Sequence, residues 1–204
     1  MDTYTAKQRI FDRWAPSYDV PVPSVFYQAV HRRLLDHVEF SHQTNVLEIG
    51  CGTGKLLNRI ALQRPDITGI GVDYSAAMIH QAKAANPYPD RLTFVQGDSH
   101  QLPFAPSQFD MAFCSISFLH YPNPVAVMQA VAQVLVPGGQ FFLADFVPCP
   151  GSPPQVTVPV SPGGIRFYSA AARAALARPT GLICDRHVYL LGPVMLSCFH
   201  RSRL

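Results

Sequence analysis

The stretch Val46-Leu47-Glu48-Ile49-Gly50-Cys51-Gly52-Thr53-Gly54 joins an apolar run with one embedded acid to a glycine-rich turn, and a helical pattern follows from Lys55 to Gln63. Glycines at a strand-to-helix turn let the backbone adopt positive φ and leave room for a ligand against the main chain. A second apolar run, Ile67 to Val72, ends in Asp73, 23 residues after Gly50. An acid at the tip of a second strand is placed to accept hydrogen bonds from ribose hydroxyls. Together the two features point to an adenosine-type cofactor.

Several readings of the glycine turn compete. A phosphate-binding loop needs four residues between its first glycine and a Gly-Lys-Ser/Thr tail. Here Gly50 and Gly54-Lys55 are separated by three, and Leu56 stands where the Mg²⁺-binding hydroxyl belongs. A dinucleotide fingerprint wants its third glycine three residues after the second, and here it comes after two. An S-adenosylmethionine site accounts for Glu48, whose carboxylate can face a ligand amino group. An ordinary glycine-rich αβ turn is the plainer alternative.

The pattern extends further along the chain. Gly71-Val72-Asp73-Tyr74-Ser75 with Met78, then Gln96-Gly97-Asp98-Ser99, Leu102-Pro103-Phe104 and Phe109-Asp110, then Leu135-Val136-Pro137-Gly138-Gly139 follow in order. With the glycine turn they resemble the successive motifs of class I S-adenosylmethionine-dependent methyltransferases, over about residues 8 to 147. Phe11-Asp12-Arg13-Trp14-Ala15-Pro16-Ser17-Tyr18-Asp19 is similar to the branch containing the ubiquinone and menaquinone biosynthesis enzymes. The resemblance implies S-adenosylmethionine as cofactor and a Rossmann-like, mostly parallel seven-stranded sheet of order 3-2-1-4-5-7-6. Helices cover both faces, and the last two strands form an antiparallel hairpin.

The same resemblance assigns roles. Gly50, Cys51, Gly52 and Gly54 would shape the loop under the methionine portion, with Glu48 behind it. Asp73 would hold the ribose diol, and Tyr74 and Met78 would cover the adenine. Asp98 would accept from the adenine amino group, and Ser99 would donate through its backbone. The main chain around Cys114 and Ser115 would lie beside the ligand's amino group and sulfonium. Tyr18 would close over the methionine end. Trp14 and Tyr18 can equally pack as an aromatic pair on an N-terminal helix, and Met78 can be a core residue.

For the second reactant, His120 follows the fourth strand where the family's substrate pocket opens. An imidazole has the pKa for a base acting on a phenol or activated carbon. It can also simply pack beside Tyr121-Pro122. Asp145 and Arg166 are further candidates to position a polar substrate group, with a structural ion pair as the alternative for each. Phe26, Tyr27, Phe104, Phe118, Tyr121, Phe146, Phe167 and Tyr168 fall on segments expected around the pocket. That points to a small or medium, apolar or aromatic methyl acceptor, methylated at oxygen or carbon. A non-catalytic binder of the cofactor or its product, and a nucleotide-linked oxidoreductase, remain alternatives. The segment after the fifth strand is short for the quinone-pathway branch, which argues against a bulky polyprenyl acceptor.

These residues need rigid elements to hold them. The chain of 204 residues suits one domain with one good core. Alternating periodicities place helices at 5–14, 24–39, 54–63, 75–86 and 123–136, and strands at 45–49, 67–72, 91–96, 109–115 and 140–146. Beyond them lie a helix over 168–178 and paired strands at 182–190 and 194–200. The domain divides into an N-terminal helical lid (1–40), a cofactor-binding core (41–147), a structureless proline-rich loop (148–165) and a C-terminal helix and hairpin (166–204).

Composition limits the other functions. Hydrophobic residues make up 48% and charged residues 14%, and a net charge of +3 is too small to argue for nucleic acid. Five cysteines without a Cys-x-x-Cys pair, and eight histidines without ligand spacing, argue against a disulfide framework or a metal site. No run approaches a membrane span and the N-terminus lacks a signal pattern, so a cytoplasmic protein is expected. Nothing in the sequence speaks to oligomeric state.

Overall fold

The computed structural model describes residues 21–203, with side chains from Val25 onward. The expected helix at 5–14, and with it Trp14 and Tyr18, lies outside the described residues. Helix α1 (Pro21–Leu35) leads into β1 (Asn45–Ile49), α2 (Lys55–Gln63), β2 (Thr68–Asp73), α3 (Ala76–Ala84) and β3 (Leu92–Gln96). Then come β4 (Phe109–Ser115), a 3₁₀ turn (Phe118–His120), α4 (Pro124–Val134) and β5 (Leu135–Phe146). The chain finishes with β6 (Gln155–Val158), β7 (Ile165–Tyr168), α5 (Ala170–Ala177), β8 (Leu182–Leu191) and β9 (Val194–Arg201).

Seven strands form one sheet in the order β3-β2-β1-β4-β5-β9-β8. With the separate hairpin β6-β7 set aside, this is the expected 3-2-1-4-5-7-6. Pairings are parallel from β3 through β5, and β9 runs antiparallel to both β5 and β8. β1 and β4 are buried along nearly their whole length because helices cover both faces, which is why they read as unbroken apolar runs. On one face Val46, Phe113 and Leu196 pack against Val30 and Leu34 of α1 and Leu56 and Ile60 of α2. On the other, Leu47, Ala112 and Phe141 pack against Val127 and Val131 of α4. A parallel sheet built this way brings every β1–β5 carboxyl end to one edge, where ligands of open α/β sheets bind.

The helix starts follow from their caps. Ser75 accepts from Met78 N–H ahead of α3, and Asn123 accepts from Ala126 N–H ahead of α4, whose first residue is Pro124. α1 ends four residues before the sequence suggests. Its chain tightens there into i→i−3 bonds, His37 to Leu34 and Val38 to Leu35.

The larger departure is the segment 148–165, expected to be structureless. Gln155-Val156-Thr157-Val158 and Ile165-Arg166-Phe167-Tyr168 instead pair as an antiparallel hairpin. The prolines flank these strands rather than interrupt them. Gly163 and Gly164, at φ 72° and 69°, turn the chain between the two. β-branched and aromatic residues at alternating positions outweigh the composition around them. Among the described residues no helix is long and apolar enough to cross a membrane.

Candidate functional site

The glycine turn is a backbone device. Gly50, Gly52 and Gly54 all take left-handed φ, at 63°, 53° and 77°. A Cβ on Gly54 would lie 2.6 Å from the Phe94 ring, and one on Gly50 would lie 2.3 Å from Ser117 Oγ. Cys51 N–H donates to Val72 O at 3.0 Å, tying the loop to β2. Asp73 completes the tie. Its Oδ2 accepts from Gly52 N–H at 2.9 Å and its Oδ1 from Ser75 N–H at 2.9 Å, so one carboxylate organises two strand tips.

Glu48 lies beneath this loop, 3% exposed. Gly54 gives α2 no side-chain cap, and Glu48 Oε2 instead accepts from Leu57 N–H at 3.1 Å in the first turn. Burial, with the Asp73 charge nearby, pushes the Glu48 carboxyl up to about 8. The sequence placed this side chain toward a ligand amine, and the structure adds a helix-capping task. Cys51 beside it is buried and its thiol is pushed up by the same desolvation.

The third strand tip carries Asp98, Ser99 and His100. Asp98 Oδ1 accepts from both the backbone N–H and the Nδ1 of His100, each at 2.8 Å. Ser99 is buried, and its hydroxyl donates to the Tyr121 hydroxyl at 3.3 Å. That phenol also lies 3.3 Å from Ser117 Oγ, which reaches Cys114 Sγ at 3.1 Å and Ile49 O at 3.4 Å. A hydrogen-bonded chain therefore runs across the sheet edge from β3 to β4. Tyr74 is half-buried next to Asp73, and Met78 is fully buried at the start of α3.

The fourth strand ends irregularly. Ser115 Oγ is buried and has no partner among the described residues. Ile116 sits at φ 50°, a costly conformation for a β-branched residue, and its N–H donates to Ala144 O at 2.8 Å. The 3₁₀ turn carrying His120 is held from below by Asp145, whose Oδ2 accepts from Leu119 N–H at 2.9 Å and whose Oδ1 accepts from Phe146 N–H at 2.7 Å. Burial raises the Asp145 carboxyl to about 6, against the lowering influence of Arg173.

Arg173 is itself buried, and its guanidinium donates to the carbonyls of Tyr168, Met195, Asp145 and Phe146. Arg166 reaches from β7 to the carbonyls of Tyr121 and Pro122, at 3.3 and 2.7 Å. Asp145 and Arg166 both fasten the segment 118–122 through backbone groups. Among the expected pocket aromatics, Phe118 and Tyr168 are core residues and Phe104 stacks edge-on against Phe109. Phe26 and Phe146, stacked at 5.9 Å and 9°, are half-buried.

Sequence reasoning missed Ser117, His100 and Arg173. No pattern marks the first two. Arg173 had a signal: it is the one charge within Ala170–Ala177, an alanine-rich helix.

Strand tips arranged in this way suit an adenosyl sulfonium ligand. Three left-handed glycines offer main-chain groups and Asp73 stands beside them. The fold is that of the Rossmann-like methyltransferases. Residues 40–169 match the family described as "Methyltransferase domain", so the chain belongs to that family, and S-adenosylmethionine is its cofactor.

The chain is 30% identical over 173 residues to the nocamycin O-methyltransferase of Saccharothrix syringae, covering 83% of this chain and 61% of that one. It is 28% identical over 195 residues to the ubiquinone/menaquinone biosynthesis C-methyltransferase of Syntrophotalea carbinolica, covering 93% and 78%. It superimposes with a TM-score of 0.81, at 18% identity, on the methyltransferase solved with the Trm112 activator of Haloferax volcanii, covering 94% and 97%. The chain spans between 36% and 61% of the length of four of the curated relatives it matches.

Proposed function

We propose that the chain transfers a methyl group from S-adenosylmethionine to oxygen or carbon of a small or medium, apolar or aromatic acceptor. The carrying observation is the character of the β4 and β5 tips. The charged side chains Asp145, Arg166 and Arg173 at these tips are all bound to backbone groups. On this side the acceptor would meet the His120 imidazole and the apolar faces of Ile116, Phe26 and Phe146. The relatives named above, one an O-methyltransferase and one a C-methyltransferase, support this range.

S-adenosylmethionine supplies a sulfonium methyl that a nucleophile takes by in-line displacement. Asp73 is assigned to the ribose hydroxyls, Asp98 and the Ser99 amide to the adenine edge, and Tyr74 to its face. Gly50, Cys51, Gly52 and Gly54 offer main-chain groups to the methionine end, with Tyr18 closing over it. Glu48 holds the helix below them in place. His120 receives the acceptor's proton or orients the acceptor. Most of the rate then comes from alignment and exclusion of water, with no covalent enzyme intermediate.

Calorimetric titration with S-adenosylmethionine, S-adenosylhomocysteine and NAD, followed by an acceptor screen, tests this. Binding of both adenosyl ligands with turnover on phenols, enols or hydroxyquinones is the expected result. Turnover confined to small polar thiols or amines would overturn the acceptor class. Tight donor binding with no turnover on any acceptor would leave a binding protein.

A further inference from the structure

Asp98 is exposed enough to meet a ligand, with 41% of its side chain accessible, yet one of its oxygens is fully engaged within the protein. Oδ1 takes two donors from a single residue, the His100 amide and the His100 ring, both at 2.8 Å. A carboxylate only accepts, so the ring must carry a proton on Nδ1. Oδ2 has no partner among the described residues. The ring is held from its other side as well. It meets Tyr121 edge-on, with centroids 6.2 Å apart and planes at 72°. Tyr121 is buried and fixed through its hydroxyl by Ser99 and Ser117, and through its carbonyl by Arg166.

We propose that His100 is a positioning residue for base recognition. It locks the Asp98 carboxylate so that Oδ2 alone is presented to the exocyclic amino group of an adenine, and so sets the preference for adenine over a 6-oxo purine. The inference rests on the cofactor reading above and adds to it a residue that does not itself touch the ligand. An unlocked aspartate would have to lose side-chain freedom on binding, and a carboxylate with both oxygens free would meet the base in more than one pose. A 6-oxo purine presents an acceptor where adenine presents a donor. It gains nothing from a well-aimed carboxylate and is indifferent to the lock.

The test needs no methyl acceptor. Dissociation constants of S-adenosylhomocysteine and S-inosylhomocysteine are measured by calorimetry on the full chain and on His100→Ala, His100→Asn, Asp98→Ala and the Asp98→Ala/His100→Ala double variant. His100→Ala is expected to weaken S-adenosylhomocysteine by roughly three- to tenfold, the span of one ordinary hydrogen bond. The inosyl ligand should change by less than about twofold, within the cost of no hydrogen bond at all. His100→Asn, which keeps a donor near the Nδ1 position, should stay near wild type and shows that the fold tolerates change there. The double variant should bind like Asp98→Ala alone.

Equal weakening of both ligands by His100→Ala would mean that the ring merely props Tyr121, and would overturn the proposal. So would additive losses in the double variant, or no loss at all. A wild-type chain that binds neither ligand would instead sink the cofactor reading itself, and this inference with it.

Discussion

The two halves of the sheet edge are built by different means. At β1 and β2 the site is made of backbone: glycines with left-handed φ and a carboxylate bonded to two amides, one two residues away in sequence and one 21. At β4–β5 it is made of side chains reaching across the fold to backbone groups. Asp145 holds Leu119, Arg173 holds the end of β5, and Arg166 holds Tyr121 and Pro122 across separations of 26 to 45 residues. The cofactor half is therefore a local solution that a motif can specify. The acceptor half is a tertiary one that a motif cannot.

The largest effect should come from Arg173. Replacing it with methionine leaves the Asp145 charge buried without its cation and several carbonyls unpaired, and should cost about 3–5 kcal/mol of stability by urea unfolding. A loss below about 1 kcal/mol, the scale of an exposed ion pair, would erase the contrast between the halves.

The next prediction concerns pH. Glu48 ionises at about 8 in the folded chain, above its ordinary value of 4.5. The folded state then holds a proton that the unfolded state has lost, so stability falls as pH rises from about 4.5 to 8. Glu48→Gln should flatten that fall, which amounts to a few kcal/mol at most. An unchanged slope in unfolding measured at several pH values would show that another group carries it.

Asp73→Ala removes a charged acceptor at the ribose end and should weaken S-adenosylhomocysteine by about 1.5–3 kcal/mol, tenfold or more. An unchanged dissociation constant would mean that the ribose lies elsewhere. Smallest is Arg166→Ala. It should cost about 0.5–1.5 kcal/mol of stability, loosening the hairpin while changing the affinity for the cofactor product less than Asp73→Ala does. If it weakens that affinity more, the halves are not separable.

This division also explains what the sequence revealed. The positions of Glu48, the three glycines, Asp73 and Asp98 at the strand ends were legible because their spacing on consecutive strand–helix units is fixed by the units themselves. The sheet order was legible through the same motifs. The hairpin β6-β7 was not, because prolines at its margins mask a short β-branched run and no local pattern shows what it pairs with. His100 was invisible for a related reason. Its ring acts on a neighbour two residues away, but the edge that holds it, Tyr121, comes from the turn after β4. Ser117 gains meaning only where it passes over Gly50.

Arg166 has a practical consequence for redesign. A two-stranded hairpin outside the main sheet is a natural unit to exchange as a cassette. Here the hairpin's arginine grips the carbonyl of the same tyrosine whose phenol reaches the third strand tip. A transplanted insert lacking a donor at that register would leave the carbonyls of Tyr121 and Pro122 without their partner and loosen the turn that carries them. Grafts into this scaffold should therefore keep Arg166, or an amide that reaches the same two carbonyls, as a fixed coupling point.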